Sequence, residues 1–464
     1  MTTSKLAKSS AECGATVVAA SPAAIATQSP AHHCRLTLPT PCRQPSPCGI
    51  PCELKLGPER HVVVDLGSLA RLAIMAVPGS RGSFREQAHE LFAQVRCIVS
   101  RQAIPLTPAT MMVFLRDGAD ETAAREIVRS TFSDSAPVTT FVVQPTVCGA
   151  ALGIELWALG GMGVKVERFG PEVIAVESDG NRWVYVGGVR GTVGEGGAYQ
   201  EATTAFGRME QQLARAGVGF NQVVRTWIYV NQINKGPPGW QRYQELNRAR
   251  TDFYRDIRFG AKLRRPGGPA TIYPASTGIG TSGAQVNMAC VALDSSRPDV
   301  FIVSLENPQQ TPACAYHAAY SPQSPKFARA MAAVHGHYVS TLVSGTASIV
   351  DAKTVYPGDI VRQTEQTLEN IEKLIGPENF ARHGLAGSGV ALRDVAKLRV
   401  YVKHPDFYES CREVVEQRLP GVPAIYLHAD VCRPDLLVEI EAVVFSPFTD
   451  RPIESDTSPH PPHD

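Results

Sequence analysis

The sequence predicts an α+β fold of three tandem units, each a mixed sheet with two helices on one face, that together form a pseudo-trimer. Three observations predict it. One order of strand, helix, strand, helix and apolar strand occurs three times along the 464 residues. The three closing strands align as IELWAL, VNMACV and VEIEAV. The length suits two or three domains better than one.

The third repeat, residues 298–448, shows this order most clearly. HYVSTLVSGTASIV is rich in β-branched residues and predicts a strand. Pro357, Gly358 and Asp359 then introduce a helix over DIVRQTEQTLENIEKLI, whose apolar positions follow helical spacing. DVAKLRVYVKH predicts the next strand, PDFYESCREVVEQRL the second helix and LLVEIEAVVF the closing strand.

The other two repeats follow the same order. In residues 170–297 the predicted strands are WVYVGGVRG, VVRTWIYVNQI and AQVNMACVAL, and Gly217 ends the first helix. In residues 59–165 the helices are REQAHELFAQVRCIVSR and ETAAREIVRSTF, and ALGIELWAL closes the unit. Residues 1–58 are predicted to form a disordered Pro/Cys-rich leader and residues 449–464 a disordered tail.

Composition excludes several function classes. The 45 basic and 44 acidic residues leave a net charge of +1, so no nucleic-acid partner is expected. No run of eighteen apolar residues occurs, so no membrane partner or membrane-spanning helix is expected either. GVRGTVGEGG is Gly-rich but lacks the spacing of a dinucleotide-binding loop. The eleven cysteines, an odd number, favour reduced thiols and a cytoplasmic location.

Two groups of residues have the chemistry of metal ligands without the spacing of a metal site. The leader cysteines in CRLTLPTPCRQPSPCGIPC contain no CxxC pair and are separated by prolines. The histidine pair in VHGHYV has no third ligand nearby. We therefore predict that the protein binds no metal.

Two acidic residues on the closing strand of the third unit are candidates for chemistry. Alternation along LLVEIEAV places Glu439 and Glu441 on one face of the strand and Val438 and Ile440 on the other. A carboxylate in apolar surroundings needs a partner or a raised pKa, and a raised pKa suits a general acid near neutral pH. The alternative is a pair of solvated carboxylates on an exposed face.

Further residues are candidates for substrate binding, each with a structural alternative. Arg399 in KLRVYVKH, and Arg225 at the place we take as equivalent in the second unit, either bind an anion or reach the surface. Gly345 and Ala347 in SGTASI either leave room for a ligand or allow tight helix–sheet packing. Hydroxyl or cationic side chains in AYSPQSPKFARAM and YPASTGIG complete this set: Tyr320, Lys326, Arg329 and Tyr273.

The third repeat resembles the Rid/YjgF family through YPGDIVRQTEQTLENIEKLI, RVYVKH and LLVEIEAVV. More narrowly, residues from about 173 to 445 resemble the chorismatases through RTWIYV, RYQELNRARTDFY, YPASTGIG, SGTASI and HADVCRPDLLVEIEA. Rid proteins are trimers with ligand sites between subunits. The resemblance therefore implies a monomer with an internal pseudo-trimer, or a loose homo-oligomer, with its site between two units.

The resemblance also implies an activity and the roles of two residues. The glutamate that matches Glu439 is the proposed acid of a cofactor-independent reaction that releases pyruvate from chorismate, a dicarboxylate with an enol ether. Chorismatases with a cysteine at the position of Cys432 tend to make 3-hydroxybenzoate, and those with a small residue tend to make a cyclohexadiene diol carboxylate. From the residues alone, Cys432 is equally a buried structural cysteine.

Two other functions remain open at this point. One is a Rid-type imine or enamine deaminase, although Ile425 occupies the place where those enzymes carry a substrate-binding arginine. The other is a non-catalytic protein that binds a small ligand or serves as a scaffold.

Overall fold

The computed structural model describes residues 35–37, 61–195, 197–237, 240–265, 267–318 and 322–448. Within these residues the chain forms three large mixed sheets and seven α-helices. None of these helices is long and apolar enough to cross a bilayer. The predicted tail, and the predicted leader apart from residues 35–37, lie outside the described residues.

The first sheet is built from residues 35–160. Its elements in chain order are β1 (Arg35–Thr37), β2 (His61–Asp65), β3 (Ala70–Ala76), α1 (Phe84–Ser100), β4 (Leu106–Leu115), α2 (Glu121–Phe132), β5 (Val138–Val143) and β6 (Leu152–Gly160). The spatial order is β1-β2-β3-β6-β4-β5. Strand β1 falls within the predicted leader, and its backbone pairs with β2.

The second sheet is built from residues 165–295. Its elements are β7 (Lys165–Arg168), β8 (Val173–Ser178), β9 (Asn181–Arg190), α3 (Gly197–Arg215), β10 (Val223–Asn231), α4 (Arg242–Tyr254), β11 (Ala275–Thr281) and β12 (Asn287–Ser295). The spatial order is β7-β8-β9-β12-β10-β11. As predicted, α3 ends just before Gly217, whose φ of 73° places it in the left-handed region.

The third sheet is built from residues 301–447. Its strands are β13 (Phe301–Leu305), β14 (Ala330–His335), β15 (Tyr338–Val343), β16 (Thr346–Ala347), β19 (Val395–Val402), β20 (Ala424–His428) and β21 (Val438–Pro447), and β17 (Ile349–Val350) and β18 (Lys353–Thr354) form a separate hairpin. The helices are α5 (Ile360–Ile375), α6 (Pro377–Arg382) and α7 (Tyr408–Arg418). The single strand predicted over HYVSTLVSGTASIV is therefore wrong, because the chain leaves the ladder at Ser344 and Gly345 and resumes as β16.

All three sheets have one topology. The third sheet runs β13-β14-β15-β21-β19-β20, which is the order of the other two. Each contains a single parallel pair, β4–β5, β10–β11 or β19–β20, and each has a bulge near the start of the strand beside the closing strand. The sequence pattern identified six of the seven described helices and the closing strands, but missed α6, the parallel strands β5 and β11, and the extra strands at the start of each sheet.

Helix boundaries follow local capping chemistry. Helix α1 begins after Ser83, whose side chain accepts from the Glu86 backbone while the Glu86 carboxylate accepts from Ser83, which is a capping box. Asp359 caps α5 by accepting from the backbone N–H of Arg362. Gly376 ends α5, and Pro377 occupies the first position of α6, where no backbone N–H is needed.

The sheet faces turned away from the helices pack on one another. One apolar cluster combines Met75, Met112, Tyr229, Tyr401 and Leu427, which come from all three sheets. Hydrogen bonds join every pair of sheets. They run from Asn287 Nδ2 to Phe141 O (2.9 Å), from the Ser276 N–H to Ser344 Oγ (2.8 Å) and from the Val147 N–H to Tyr426 O (3.2 Å).

A buried ion cluster ties the three sheets together. Glu155 of β6 pairs with Arg399 (2.5 Å) and Lys397 (3.0 Å) of β19. Glu441 of β21 pairs with Arg399 (2.9 Å) and with Arg225 of β10 (2.7 Å). All five side chains are at most 3% exposed. Because buried charges are tolerated only when paired, the sheets must be assembled before this cluster can exist.

The Glu155→Gln variant tests this cluster. Loss of the carboxylate leaves Lys397 and Arg399 of the third sheet short of a counter-charge, so we expect a loss of about 3–5 kcal/mol in the free energy of unfolding. Glu126 is the control, because its pair with Arg85 is more than half exposed on both sides. Glu126→Gln should change stability by less than about 1 kcal/mol. Equal midpoints for the two variants in urea unfolding would contradict a structural role for Glu155.

Candidate active site

A cavity of about 770 Å³ lies between the second and third sheets. This volume is in the range of small-molecule sites, about 300–1,000 Å³. Helix α4 and strand β11 supply one wall, and residue 316 with residues 325–329, 345–354 and 432–439 supplies the other. Charged and hydroxyl-bearing side chains contribute many of the lining groups: Tyr243, Arg250, Ser276, Tyr316, Arg329, Lys353, Thr354, Cys432, Arg433, Asp435 and Glu439.

Glu439 is the buried acid of this cavity. It lies on β21 opposite Ala347 of β16 and is 4% exposed. Burial, with the negative charge of Glu441 as a smaller cause, raises the pKa of its carboxyl to about 8, against the opposing effect of Arg225 and Arg329. Among the described residues, none forms an ion pair or hydrogen bond with this carboxyl. Glu439 is therefore protonated at neutral pH and faces a cavity that admits a ligand.

Glu441 lies two residues further along the same face of the strand, and its pKa is shifted in the opposite direction. It too is buried, but Arg399, Arg225 and Lys397 outweigh that burial and hold its pKa below the ordinary value. It also accepts hydrogen bonds from Trp227 Nε1 (3.0 Å) and Thr277 Oγ1 (2.5 Å). The predicted alternation is confirmed, and neither residue lies on an exposed face. The two acids have different environments, so one is charged and the other neutral.

Gly345 allows the close approach of the backbone to the acid. A Cβ atom built at this position would overlap Glu439 Oε1 and lie 2.8 Å from Glu439 Cδ. The Gly345 N–H donates to Thr277 Oγ1 of the neighbouring sheet (3.0 Å). Both Gly345 and Ala347 line the cavity. The small residues of SGTASI thus leave room beside Glu439, rather than serving helix packing alone.

Two buried arginines of the cavity are paired with no carboxylate in the described part of the chain. Arg250 on α4 donates to Asn247 Oδ1 (2.6 Å), and its Nε is buried without an acceptor. Arg329 donates to Tyr316 OH (2.6 Å) and Thr311 O (3.0 Å), and its Nε is likewise without an acceptor. Buried guanidinium groups that lack a counter-charge favour an anionic ligand.

Phe327 lies between these two arginines. The ring centroid is 5.6 Å from Arg250 Cζ and 5.4 Å from Arg329 Cζ. Lys353 and Arg433 add further positive charge to the wall, and Asp435 adds one negative charge. Because Glu439 is neutral at neutral pH, the cavity carries an excess of positive charge that suits a dicarboxylate.

Cys432 lines the same cavity as Glu439. Burial, and then the nearby Glu439, raise the pKa of its thiol to about 12, so it is a neutral thiol and a poor nucleophile at neutral pH. The structure therefore places Glu439, Cys432, Arg329, Gly345 and Ala347, five of the candidates from the sequence, on the wall of one cavity.

The expectation that Arg399 and Arg225 bind substrate is corrected. Neither is among the described residues that line the cavity, because the buried carboxylates of Glu155 and Glu441 hold them in the ion cluster. Their equivalence is also corrected by the strand registers. Arg399 pairs with Glu441 on β21, whereas Arg225 pairs with Val291 on β12, so Arg225 corresponds to Lys397 instead.

Three other candidates are not part of the described cavity wall. Lys326 donates to Ser324 Oγ (2.9 Å), within its own loop. Tyr273 stacks on Tyr254 with ring centroids 6.3 Å apart, in an aromatic cluster of the second sheet. Tyr320 lies outside the described residues. The expectation that Lys326 and Tyr273 line the site is thus corrected.

Sequence reasoning missed Arg250, Tyr243, Tyr316 and Arg433. Arg250 and Tyr243 lie in RYQELNRARTDFY, which carries the resemblance to the chorismatases, so the motif itself could have indicated them. Arg433 follows Cys432 in HADVCRPDLLVEIEA, so that motif could also have indicated it, whereas Tyr316 lies in a loop without a periodic pattern and only the folded chain brings it to the cavity. In the described part of the chain, no group of three or more His, Cys, Asp or Glu side chains is placed to hold a metal ion.

Comparison with known proteins agrees with this geometry. The family model described as chorismatase FkbO/Hyg5-like, N-terminal, matches residues 155–292. The 3-hydroxybenzoate synthase of Streptomyces hygroscopicus is 34% identical over 297 residues, which cover 62% of this chain and 81% of that protein. A chorismatase of the same organism is 39% identical over 255 residues, which cover 54% of this chain and 69% of that protein.

A crystal structure of a chorismatase has the same fold. It superposes with a TM-score of 0.59 at 24% identity, and the match covers 82% of this chain and 100% of that one. A RutC family protein of Pyrococcus horikoshii is 32% identical over 100 residues, which cover 21% of this chain and 71% of that protein. The resemblance found in the sequence is confirmed, and the chain belongs to the chorismatase family.

Proposed function

We propose that this protein is an enzyme that releases pyruvate from chorismate, with Glu439 as the general acid. The observation that carries this proposal is a buried, protonated carboxyl facing a cationic cavity between two sheets. Chorismate has two carboxylates, which suit Arg250 and Arg329, and one acid-labile enol ether. The names of the relatives, chorismatase and 3-hydroxybenzoate synthase, support the same substrate.

The chemistry that this geometry supports begins with proton transfer. Glu439 donates its proton to the methylene carbon of the enolpyruvyl group, which leaves an oxocarbenium ion at the ether carbon. Water adds to that carbon, and the resulting hemiketal collapses to pyruvate and the ring alcohol. The developing positive charge is stabilised by the Glu439 carboxylate that the transfer leaves behind. The negative charge of Glu441 raises the pKa of Glu439, so the Glu439 carboxylate regains its proton readily after turnover.

We propose that Cys432 governs the fate of the ring and does not start the reaction. If the ring keeps both oxygens, a cyclohexadiene diol carboxylate results. If it loses the neighbouring hydroxyl as water, it becomes aromatic and 3-hydroxybenzoate results. A neutral thiol beside Glu439 supports the second outcome, which is the product named for the relative from S. hygroscopicus.

The alternative functions have less support. Ile425 occupies the place of the deaminase arginine. It is fully buried in β20, and its side chain packs closely against Gly153 of the first sheet. A non-catalytic binding protein would have no need of a neutral acid beside two arginines that pair with no carboxylate among the described residues. Release of pyruvate from chorismate, followed by chromatography of the ring product, separates these functions directly.

We also propose that residues 59–165, 170–297 and 298–448 are three Rid-like units arranged as a pseudo-trimer. Each parallel edge strand contacts the next unit. β5 contacts the second unit through the Phe141 carbonyl, β11 contacts the third through the Ser276 N–H, and β20 contacts the first through the Tyr426 carbonyl. This cyclic order supports a closed assembly within one chain.

The Glu439→Gln variant tests the acid. An amide of the same shape cannot donate a carboxylic proton, so kcat should fall by about 10²–10⁴-fold. In the wild type, only protonated Glu439 is active, so kcat/KM should be nearly constant below about pH 7 and fall as the pH rises through about 8. Wild-type turnover by the variant, or a kcat/KM that rises through this range, would remove Glu439 from its role.

The Gly345→Ala variant tests the close approach to the acid. The added methyl group displaces the Glu439 carboxyl, so we expect kcat/KM to fall by at least about tenfold while the protein still folds. Gly207→Ala is the matched control, because nothing lies within 4 Å of a Cβ at that helical position. The control should keep full activity. Equal activity of the two variants would show that the space at residue 345 is unimportant.

The Cys432→Ala variant tests the control of product. We expect pyruvate release to continue while the ring product shifts from 3-hydroxybenzoate toward the diol. Cys411→Ala is the control, because Cys411 is buried in the core of the third unit away from the described cavity wall. Its variant should lose some stability and keep the product ratio. If Cys432→Ala also keeps the wild-type ratio of aromatic to non-aromatic product, Cys432 is structural.

A further inference from the structure

A second, much smaller cavity of about 50 Å³ lies where the three sheets meet. Arg71 of the first sheet, Tyr185 of the second and Val443 of the third all line it. Glu155 and Arg399 of the ion cluster form part of the same wall. This cavity is separate from the cavity of Glu439, because no described residue lines both.

Arg71 is the unusual group in this cavity. It is 5% exposed, and its Nε and Nη2 atoms are buried with no acceptor in the described part of the chain. Its Cζ atom lies 4.6 Å from the ring centroid of Trp183 and 5.6 Å from that of Phe445. A guanidinium group does not give up its proton in a protein, so these buried N–H groups need an acceptor of another kind.

The charges around the cavity do not balance. The buried ionisable groups here are four cations and two carboxylates: Arg71, Arg225, Lys397 and Arg399 with Glu155 and Glu441. Two positive charges are therefore in excess. Burial lowers the pKa of Lys397, but even if Lys397 were neutral, one positive charge would remain in excess. An uncompensated buried charge is strongly unfavourable, so a counter-ion is required.

The other titratable side chains on the wall do not supply the missing negative charge. Burial raises the pKa of Tyr185 above its ordinary value, against the opposing effect of Arg71. Burial also raises the pKa of the Cys290 thiol. Both groups are therefore neutral at neutral pH, and the Tyr185 hydroxyl is a donor to an anion rather than an anion itself.

We propose that this cavity binds a small monovalent anion of the halide class, chloride in the cell, between the Arg71 guanidinium and the Tyr185 hydroxyl. The cavity has room for one such ion together with water, because a water-sized guest needs only about 10–15 Å³ of the volume open to a water-sized probe. A substrate-sized dicarboxylate does not fit. The anion completes the ion cluster, so it stabilises the contact among the three sheets and takes no part in the reaction.

Bromide is the probe that locates this anion. Crystals of the full chain equilibrated with bromide should show an anomalous scattering peak in the cavity, next to Arg71. The Arg71→Met variant, which keeps an unbranched side chain without the charge, should lack the peak. A wild-type cavity that holds only water would overturn the proposal, and so would a peak that persists in the variant.

Thermal unfolding shows whether the site is occupied in solution. At constant ionic strength, with gluconate replacing chloride, the wild-type Tm should rise by about 1–3 °C for each tenfold increase in chloride above Kd. Arg71→Met should lose this dependence, and Arg85→Met, at an exposed ion pair, should keep it. A wild-type Tm that is independent of chloride would show binding at crystal concentration only. If Arg71→Met does not fold, the two wild-type measurements still decide the question.

Discussion

The pairing of buried charge is the constraint on which this structure depends. Glu155 and Glu441 enter the interior from two different sheets, and Arg225 reaches Glu441 from the remaining one. Because a buried carboxylate without a cation is strongly destabilising, none of these strands can be moved alone. The cluster also determines the chemistry beside it. Arg225, Lys397 and Arg399 pair with Glu155 and Glu441 and not with Glu439, so burial outweighs the nearby cations at Glu439 and it retains its proton.

One strand position has three different environments in the three units. Glu155, Asn287 and Glu439 occupy the same place in the closing strands. Glu155 is ionised by Arg399 and Lys397, and its pKa falls to about 2 although burial opposes ionisation. Asn287 carries no charge and donates to Phe141 O of the first sheet. Only Glu439 faces a large cavity. The same strand position therefore carries an ion pair in the first sheet, an amide hydrogen bond in the second and the acid of the large cavity in the third.

Excess positive charge occurs at two places, and size separates their roles. Arg250 and Arg329 face a cavity of about 770 Å³, which admits an organic dicarboxylate. Arg71 faces about 50 Å³, which admits an ion. In both places an arginine is buried without a carboxylate partner in the described part of the chain, so the ligand completes the charge balance. Under the two proposals, a buried guanidinium group would serve substrate recognition in one cavity and assembly of the sheets in the other.

The sequence by itself determined the repeat, the helices, the closing strands and the family, because these depend on local periodicity and on contiguous motifs such as LLVEIEAVV. Alternation alone made Glu439 and Glu441 equal candidates, and only the family resemblance favoured Glu439 as the acid. Only the tertiary structure decided which arginines face the cavity. Arg399 and Arg250 are both buried cations in segments that carry family motifs. Arg399 pairs with Glu155, which lies in another sheet and some 240 residues earlier in the chain. Arg250 pairs with no carboxylate among the described residues. Charge pairing across that separation has no signature in local sequence, because it depends on which strands the fold brings together.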